Sequence, residues 1–177
     1  MAGNDPDILG QLAALRRYAR VLTRDAEAAD DLVQATFLRA QERRTTFRDG
    51  KDIRVWLMTI LHNLFIDDRR SARAAEAREQ AWAETRPAFV APSGETAVRL
   101  AQIRAAVLAL GAEQREALHL VAVEGLTVAE AAQILDVPAG TVMSRVGRAR
   151  AALRAFEDGQ GAPKPLRIVG GRDERTP

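Results

Sequence analysis

Apolar positions along this chain recur at helical spacing and almost never alternate singly, so the pattern predicts helices and no sheet. Leu12, Leu15, Ala19 and Leu22 share one face of a first helix, and residues 23–29 read as its connection onward. Leu32, Val33, Thr36, Phe37 and Ala40 have the spacing of a second core-facing helix. A polar loop from Thr45 to Asp52 holds Phe47 and Gly50, and a third helix starts near Ile53 with Ile53, Trp56, Leu57, Ile60 and Leu64 as its core stripe. Together these helices can bury one small core. The opposite face of the third helix is mixed, carrying Val55, Met58, Thr59, His62, Asn63, Ile66, Arg69 and Arg70. A solvated face has no need of Val55, Met58 and Ile66, so the pattern asks for a packing neighbour or a base-bearing ligand there.

Periodicity lapses over residues 74–97, where a charged, Ala-rich run gives way to two prolines and a glycine; this reads as a flexible linker on which Trp82 and Phe89 are the docking residues. A second helical block follows over 98–156. Ile103, Val107, Leu108 and Leu110 mark one helix, and Ala117, Leu118, Leu120 and Val121 mark the next. Leu126 to Leu153 then reads as a helix-turn-helix. Thr127 and Glu130 form a capping box, and residues 136–138 break the apolar run, with Pro138 at the start of the next helix because its missing N–H has no partner there anyway. On that last helix Val142, Val146, Ala149 and Leu153 make a core face, while Thr141, Ser144, Arg145 and Arg148 make a second stripe about 100° away. From residue 157 onward Gly, Pro and Arg prevail without periodicity, which reads as a mobile tail. The expected fold is all-α: two small helical domains, 8–73 and 98–156, joined by a flexible linker, the second containing the helix-turn-helix.

Composition sharpens this in two places. Net charge is only +2, yet Val137 to Phe156 holds four arginines and no acidic residue, so the last helix carries a local positive field suited to nucleic acid. There is no cysteine, which removes disulfides and thiolate metal sites. The two histidines, His62 and His119, lie in no metal-ligand spacing, and there is no phosphate-binding glycine loop or nucleophile elbow. Glu124 and Glu130 near Gly125 imitate an acid pair, but capping explains Glu130 more simply. No cofactor, metal or enzymatic activity is expected. The N-terminus lacks a basic start with an apolar core, and no run approaches the ~20 apolar residues of a membrane span, so a cytoplasmic protein without membrane insertion is expected.

Three blocks in this order and spacing, ADDLVQATFLRA from Ala29, RVWLMTILHNLFIDDRRSAR from Arg54, and the helix-turn-helix from Leu126 to Arg154, resemble the extracytoplasmic-function sigma factors, the small two-domain initiation subunits of bacterial RNA polymerase. Over 8–73 and 98–156 the resemblance implies a promoter-recognition subunit. Asp30, Asp31, Gln34 and Phe37 would dock on the coiled-coil clamp of core polymerase, with Ala35 standing where the family usually has an acid. On the residues alone, Leu32, Val33 and Phe37 are also core, and Asp30 and Asp31 also suit a helix N-terminus. The second block would open the minus-ten element: the Thr45–Asp52 loop with Phe47 takes a flipped base, Thr59, His62 and Asn63 face the strand, and Arg69, Arg70 and Arg73 hold phosphates. The last block would read the minus-thirty-five element in the major groove. Gly140, Thr141, Ser144, Arg145 and Arg148 would be presented there, Arg145 as the guanine reader and Arg150 with Arg154 on phosphates.

The resemblance further implies a chain monomeric when free and held one-to-one by an anti-sigma factor that uses the exposed Val55, Met58 and Ile66. The wording of the blocks is nearest to the alphaproteobacterial general-stress type. The alternative is an operator-binding regulator whose first block dimerises or binds an effector; it would need two-fold symmetry but no polymerase.

Overall fold

The computed structural model describes residues 7–48, 50–76 and 95–157, and among them every regular element is helical. The first half is α1 (Leu12–Thr23), α2 (Ala26–Glu42) and α3 (Ile53–Glu76), the second α4 (Glu95–Ala109), α5 (Ala112–Leu118), α6 (Val128–Leu135) and α7 (Ala139–Glu157). The turn between α1 and α2 is shorter than the pattern suggested. Arg24 takes a left-handed conformation at φ 61°, and Asp25 then caps α2, its carboxylate accepting from the Ala28 N–H at 2.8 Å. Asp30 and Asp31 therefore lie a full turn inside α2 and are not its caps. Helix also persists at both margins of the stretch read as linker, to residue 76 and from residue 95; Trp82, Phe89 and the tail from 158 lie outside the described residues.

The core stripes fall largely where periodicity put them, with Tyr18, Ala29 and Leu61 joining them and Ile53, Trp56 and Leu64 only half-buried. Leu15, Tyr18 and Ala19 of α1, Ala29, Val33 and Ala40 of α2, and Leu57, Ile60 and Leu61 of α3 are buried. The expectation of a separate core under these helices is revised, because the buried cluster runs on without a break into Ala117, Leu120, Leu126, Ile134 and Val142 of the second half. α1 packs on α5, and α3 packs on α6. The neighbour demanded by the mixed face of α3 is thus the chain's own second half. Val55 and Met58 are buried, which corrects the reading of them as exposed, and Ile66 is half-buried.

Between α5 and α6 the helix widens into a π-helical turn over His119–Val123, and the chain reverses through Gly125 at φ 69°, a conformation that L side chains rarely adopt. This irregular turn places Glu124 inside the protein. The helix-turn-helix itself follows the sequence closely. Thr127 Oγ1 accepts from the Glu130 N–H while Glu130 Oε2 accepts from the Thr127 N–H at 2.7 Å, and Asp136 ends α6 at φ 50°. Pro138 sits one residue before α7, where its carbonyl accepts from Thr141 at 2.9 Å and Val142 at 3.3 Å.

Candidate nucleic-acid and polymerase surfaces

On α2 the core side takes Val33, Thr36 and Ala40, so the outward stripe is Asp31, Gln34, Ala35 and Leu38, all exposed. Asp30 is ion-paired with Arg16 at 2.9 Å, and Phe37 is half-buried against the core. Leu38, 65% exposed, completes this stripe and was not singled out in the sequence. The signal was present: it lies seven residues after Asp31 and off the core spacing. An exposed apolar side chain ending an acidic, polar stripe suits a helical partner surface.

The loop between α2 and α3 is built by a short 3-10 turn at Arg44–Thr46, a left-handed Gly50 at φ 82°, and Asp52, which caps α3 by accepting from the Arg54 N–H at 2.7 Å. Phe47 tilts against Trp56, ring centroids 5.3 Å apart. A cavity of about 380 Å³ opens beside this pair, with Thr46, Arg48 and Lys51 on one wall and Glu130 and Gln133 of α6 on the other. Along α3, Asn63 faces solvent, as do Arg69, whose guanidinium lies 5.6 Å from the centre of the Phe65 ring, and Arg70, loosely paired with Asp67 at 3.9 Å. Arg73 lies on the same helix near its end. Thr59 is half-buried and its hydroxyl donates to the Val55 carbonyl at 2.8 Å. His62 departs from the expectation of a strand-facing residue: it is buried, with Nδ1 3.0 Å from the Tyr18 hydroxyl.

That histidine belongs to a polar seam between the halves. The Tyr18 ring lies nearly parallel to both His62 and His119, at 15° and 9°. Glu124, its side chain wholly enclosed, accepts two hydrogen bonds from Arg17, at 2.9 and 2.8 Å, with Arg54 3.9 Å away. His119 Nε2 approaches the same carboxylate to 3.2 Å, outside good hydrogen-bonding geometry. Arg115 reaches back from α5 to the Val21 carbonyl of α1 at 3.4 Å. Burial, with the Arg145 charge nearby, holds His62 down from its usual 6.5 to about 4, while Asp136 opposes the shift. Burial also lowers His119, against the pull of Glu124. Both rings are therefore neutral near pH 7. Glu124 is thus the enclosed partner of Arg17 and not half of an acid pair, and a charge inside the apolar run HLVAVEGL is the sequence signal for it.

On α7, Val142, Val146 and Ala149 are buried, and Gly140, Met143, Ser144, Gly147, Arg148 and Arg150 are exposed. Arg148 folds along the helix onto Ser144, its guanidinium 2.9 Å from the hydroxyl. Thr141 is half-buried. Arg145 is only 14% exposed and pairs with Glu113 of α5 at 2.9 Å, so its fork is already engaged within the second half. The angular reason is simple: at about 100° per residue Arg145 lies only about 60° from Val142, on the flank of the core face.

Both halves of the chain match known families. Residues 8–62 match the family described as the Sigma2 domain of PhyR, and residues 100–153 match Sigma-70, region 4. The two halves thus define a sigma-type architecture. An ECF RNA polymerase sigma factor, EcfG of Rhodopseudomonas palustris, is 41% identical over 152 residues, covering 85% of this chain and 82% of that protein. SigL of Mycobacterium tuberculosis, of the same family, is 37% identical over 144 residues, covering 80% and 81%. Among solved structures, the sigma factor RpoE of Bartonella quintana, in complex with the anti-sigma factor NepR, superimposes with a TM-score of 0.74 at 32% identity, covering 86% of this chain and 94% of that one. CnrH, in complex with the cytosolic domain of CnrY, gives 0.60 at 29%, covering 86% and 85%. The chain belongs to the ECF RNA polymerase sigma factors, which are not an enzyme family.

Proposed function

We propose that this sigma factor binds core RNA polymerase through the outward stripe of α2, carries it to a two-part promoter, and opens the minus-ten region. The observation that supports this most is the order of surfaces on one chain: a polar stripe ending in exposed Leu38, a loop with a paired Phe47 and Trp56 beside a cavity, then an exposed arginine-bearing recognition helix. Asp30, Asp31, Gln34 and Phe37, with Leu38 added, are the polymerase-facing group. Phe47, Asn63, Arg69, Arg70 and Arg73 serve the minus-ten strand. Ser144, Arg148 and Arg150, with Gly140 and Thr141 at the helix start, serve the minus-thirty-five element. His62 reaches DNA only after the two halves separate, because here it is buried between them; Thr59 would have to release the Val55 carbonyl of its own helix, and Arg145 its ion pair with Glu113 inside the second half.

The working location is the cytoplasm, where polymerase and promoters are; among the described residues no helix is long and apolar enough to cross a membrane. The chain is monomeric when free and is controlled by an anti-sigma protein bound one-to-one; what supports the control is that RpoE is captured with the anti-sigma factor NepR and CnrH with the cytosolic domain of CnrY. A general-stress role is the reading that the resemblance of the three blocks to the alphaproteobacterial general-stress type supports.

Run-off transcription on genomic fragments, with core polymerase and with or without this protein, tests the reading. Discrete start sites that need both components are expected. Footprinting with the protein alone is expected to show no full promoter protection; complete protection without core enzyme would overturn the proposal in favour of an operator-binding regulator. Affinity capture from unstressed cells is expected to recover a single small partner besides polymerase, and recovery of polymerase alone would count against anti-sigma control.

A further inference from the structure

The outer arc of α7 is not filled by arginines alone. With Val142 at the centre of the buried side and about 100° per residue, Gly140, Ser144, Gly147, Arg148 and Ala151 turn farthest from it over residues 139–151, and Met143 lies at the edge of the same outer arc, about 100° from Val142. All of them are exposed. Only two carry long side chains, and they differ in kind: Arg148, tied back along the helix to Ser144, and Met143, 63% exposed with its thioether chain in solvent. A methionine so exposed on a helix that otherwise places its apolar residues inside is not explained by internal packing. Its flanking glycines point outward as well. A Cβ at Gly140 or Gly147 would meet no atom within 4 Å, so nothing inside the protein requires glycine at either position. Gly147 is a helix-weakening choice in the middle of α7, and its effect is to leave room beside Met143 for a close-fitting partner.

On the reading of α7 as the upstream promoter helix, the partner is the major groove. A thioether cannot exchange hydrogen bonds with base edges. What it can recognise there is the one apolar group that B-DNA displays in that groove, the C5-methyl of thymine. We propose that Met143 is a specificity-determining residue of the upstream element, packing on a thymine methyl while Arg148, released from Ser144, reads a neighbouring acceptor. Arg145, engaged with Glu113, then positions the helix against α5 and is not the first reader. The division is chemically economical. One side chain selects a methyl, the next a purine edge, and the glycines let both reach the floor of the groove.

The test uses holoenzyme reconstituted from core polymerase and the full chain. Open-complex yield on a duplex library randomised across the upstream contact gives the preferred element. Each thymine in it is then replaced by deoxyuridine, which removes only the methyl. For the wild-type protein, loss at one position of about fourfold is expected, the equivalent of one buried methyl group. Met143→Ala should be indifferent to that replacement and should relax base choice at that position alone. Met143→Leu should keep most of the methyl dependence. Because the side chain is exposed, both variants should keep the wild-type circular dichroism and bind core polymerase equally. Retention of the full deoxyuridine effect in Met143→Ala, or the absence of any upstream thymine that matters to the wild type, would overturn the proposal. If the wild-type holoenzyme recovers no upstream element at all, promoter reading by α7 fails, and the role of Met143 falls with it.

Discussion

Met58 and Met143 mark the difference between two helices that look alike in sequence. Each methionine has hydrogen-bonding residues beside it on the helix: His62 and Thr59 on α3, Ser144 and, farther round, Arg148 on α7. Met58 is wholly buried and Met143 is 63% exposed. The face of α3 repeats its apolar positions, Val55, Met58 and Ile66, at helical spacing and so can bury continuous area against α6. Met143 is flanked by Gly140 and Gly147, which offer no side-chain area to a protein neighbour. A mixed face with several apolar members is an internal seam; one with a single apolar member among small and basic residues stays open for a ligand.

The contrast can be broken most forcefully at Met58. Met58→Asp places a carboxylate without a partner in the seam and should cost about 4 kcal/mol, read by chemical denaturation, with a larger radius of gyration in scattering. A variant as compact and stable as wild type would mean that the seam is not held by this face. Next comes the asymmetry around Glu124. Arg17→Ala leaves the enclosed carboxylate without its bidentate partner and should cost about 3 kcal/mol, whereas Glu124→Gln removes the charge and leaves a half-exposed arginine, for a cost nearer 1 kcal/mol. Equal losses from the two variants would show that the pair contributes by contact area alone.

The histidines give a third, pH-dependent handle on the seam. His62 in the folded protein titrates near 4, below its unfolded value near 6.5, so the unfolded state takes up the proton first as pH falls. Stability should be fully present above about 6.5, decline as pH drops toward about 4, and level off below it for this group. His119, lowered for the same reason, adds in the same direction. Thermal denaturation as a function of pH checks this, and His62→Gln should flatten the decline. A smaller effect is expected away from the seam: Thr127→Ala breaks the capping box of α6 for about 1 kcal/mol. Smallest of all, Met143→Asp should change stability by less than about 0.5 kcal/mol while abolishing selection at the upstream element. A large stability loss at Met143 would erase the contrast with Met58.

Helix identity and capping were legible locally. The Thr127–Glu130 box, the α7 core face and the start of α3 all follow from contacts within a few residues, which sequence spacing reports directly. The pairing of Arg17 with Glu124 was not legible, because it joins positions 107 residues apart and depends on a π-helical turn that no periodicity announces. The reach of Arg145 was misjudged for a related reason: type and charge pointed to a base, but its angle from Val142 placed it beside Glu113.

The sequence by itself determined an all-α chain with its helix-turn-helix, a core face on α1, α2 and α7, and, through the order of its blocks, membership of a promoter-recognition family. These depend on short-range periodicity and on residue chemistry, which fold-independent rules can read. Tertiary structure alone decided which of two mixed faces is spent inside the protein. That choice sends Met58 and His62 inward and leaves Met143 and Arg148 outside, because burial is settled by which surfaces meet and not by the composition of either one.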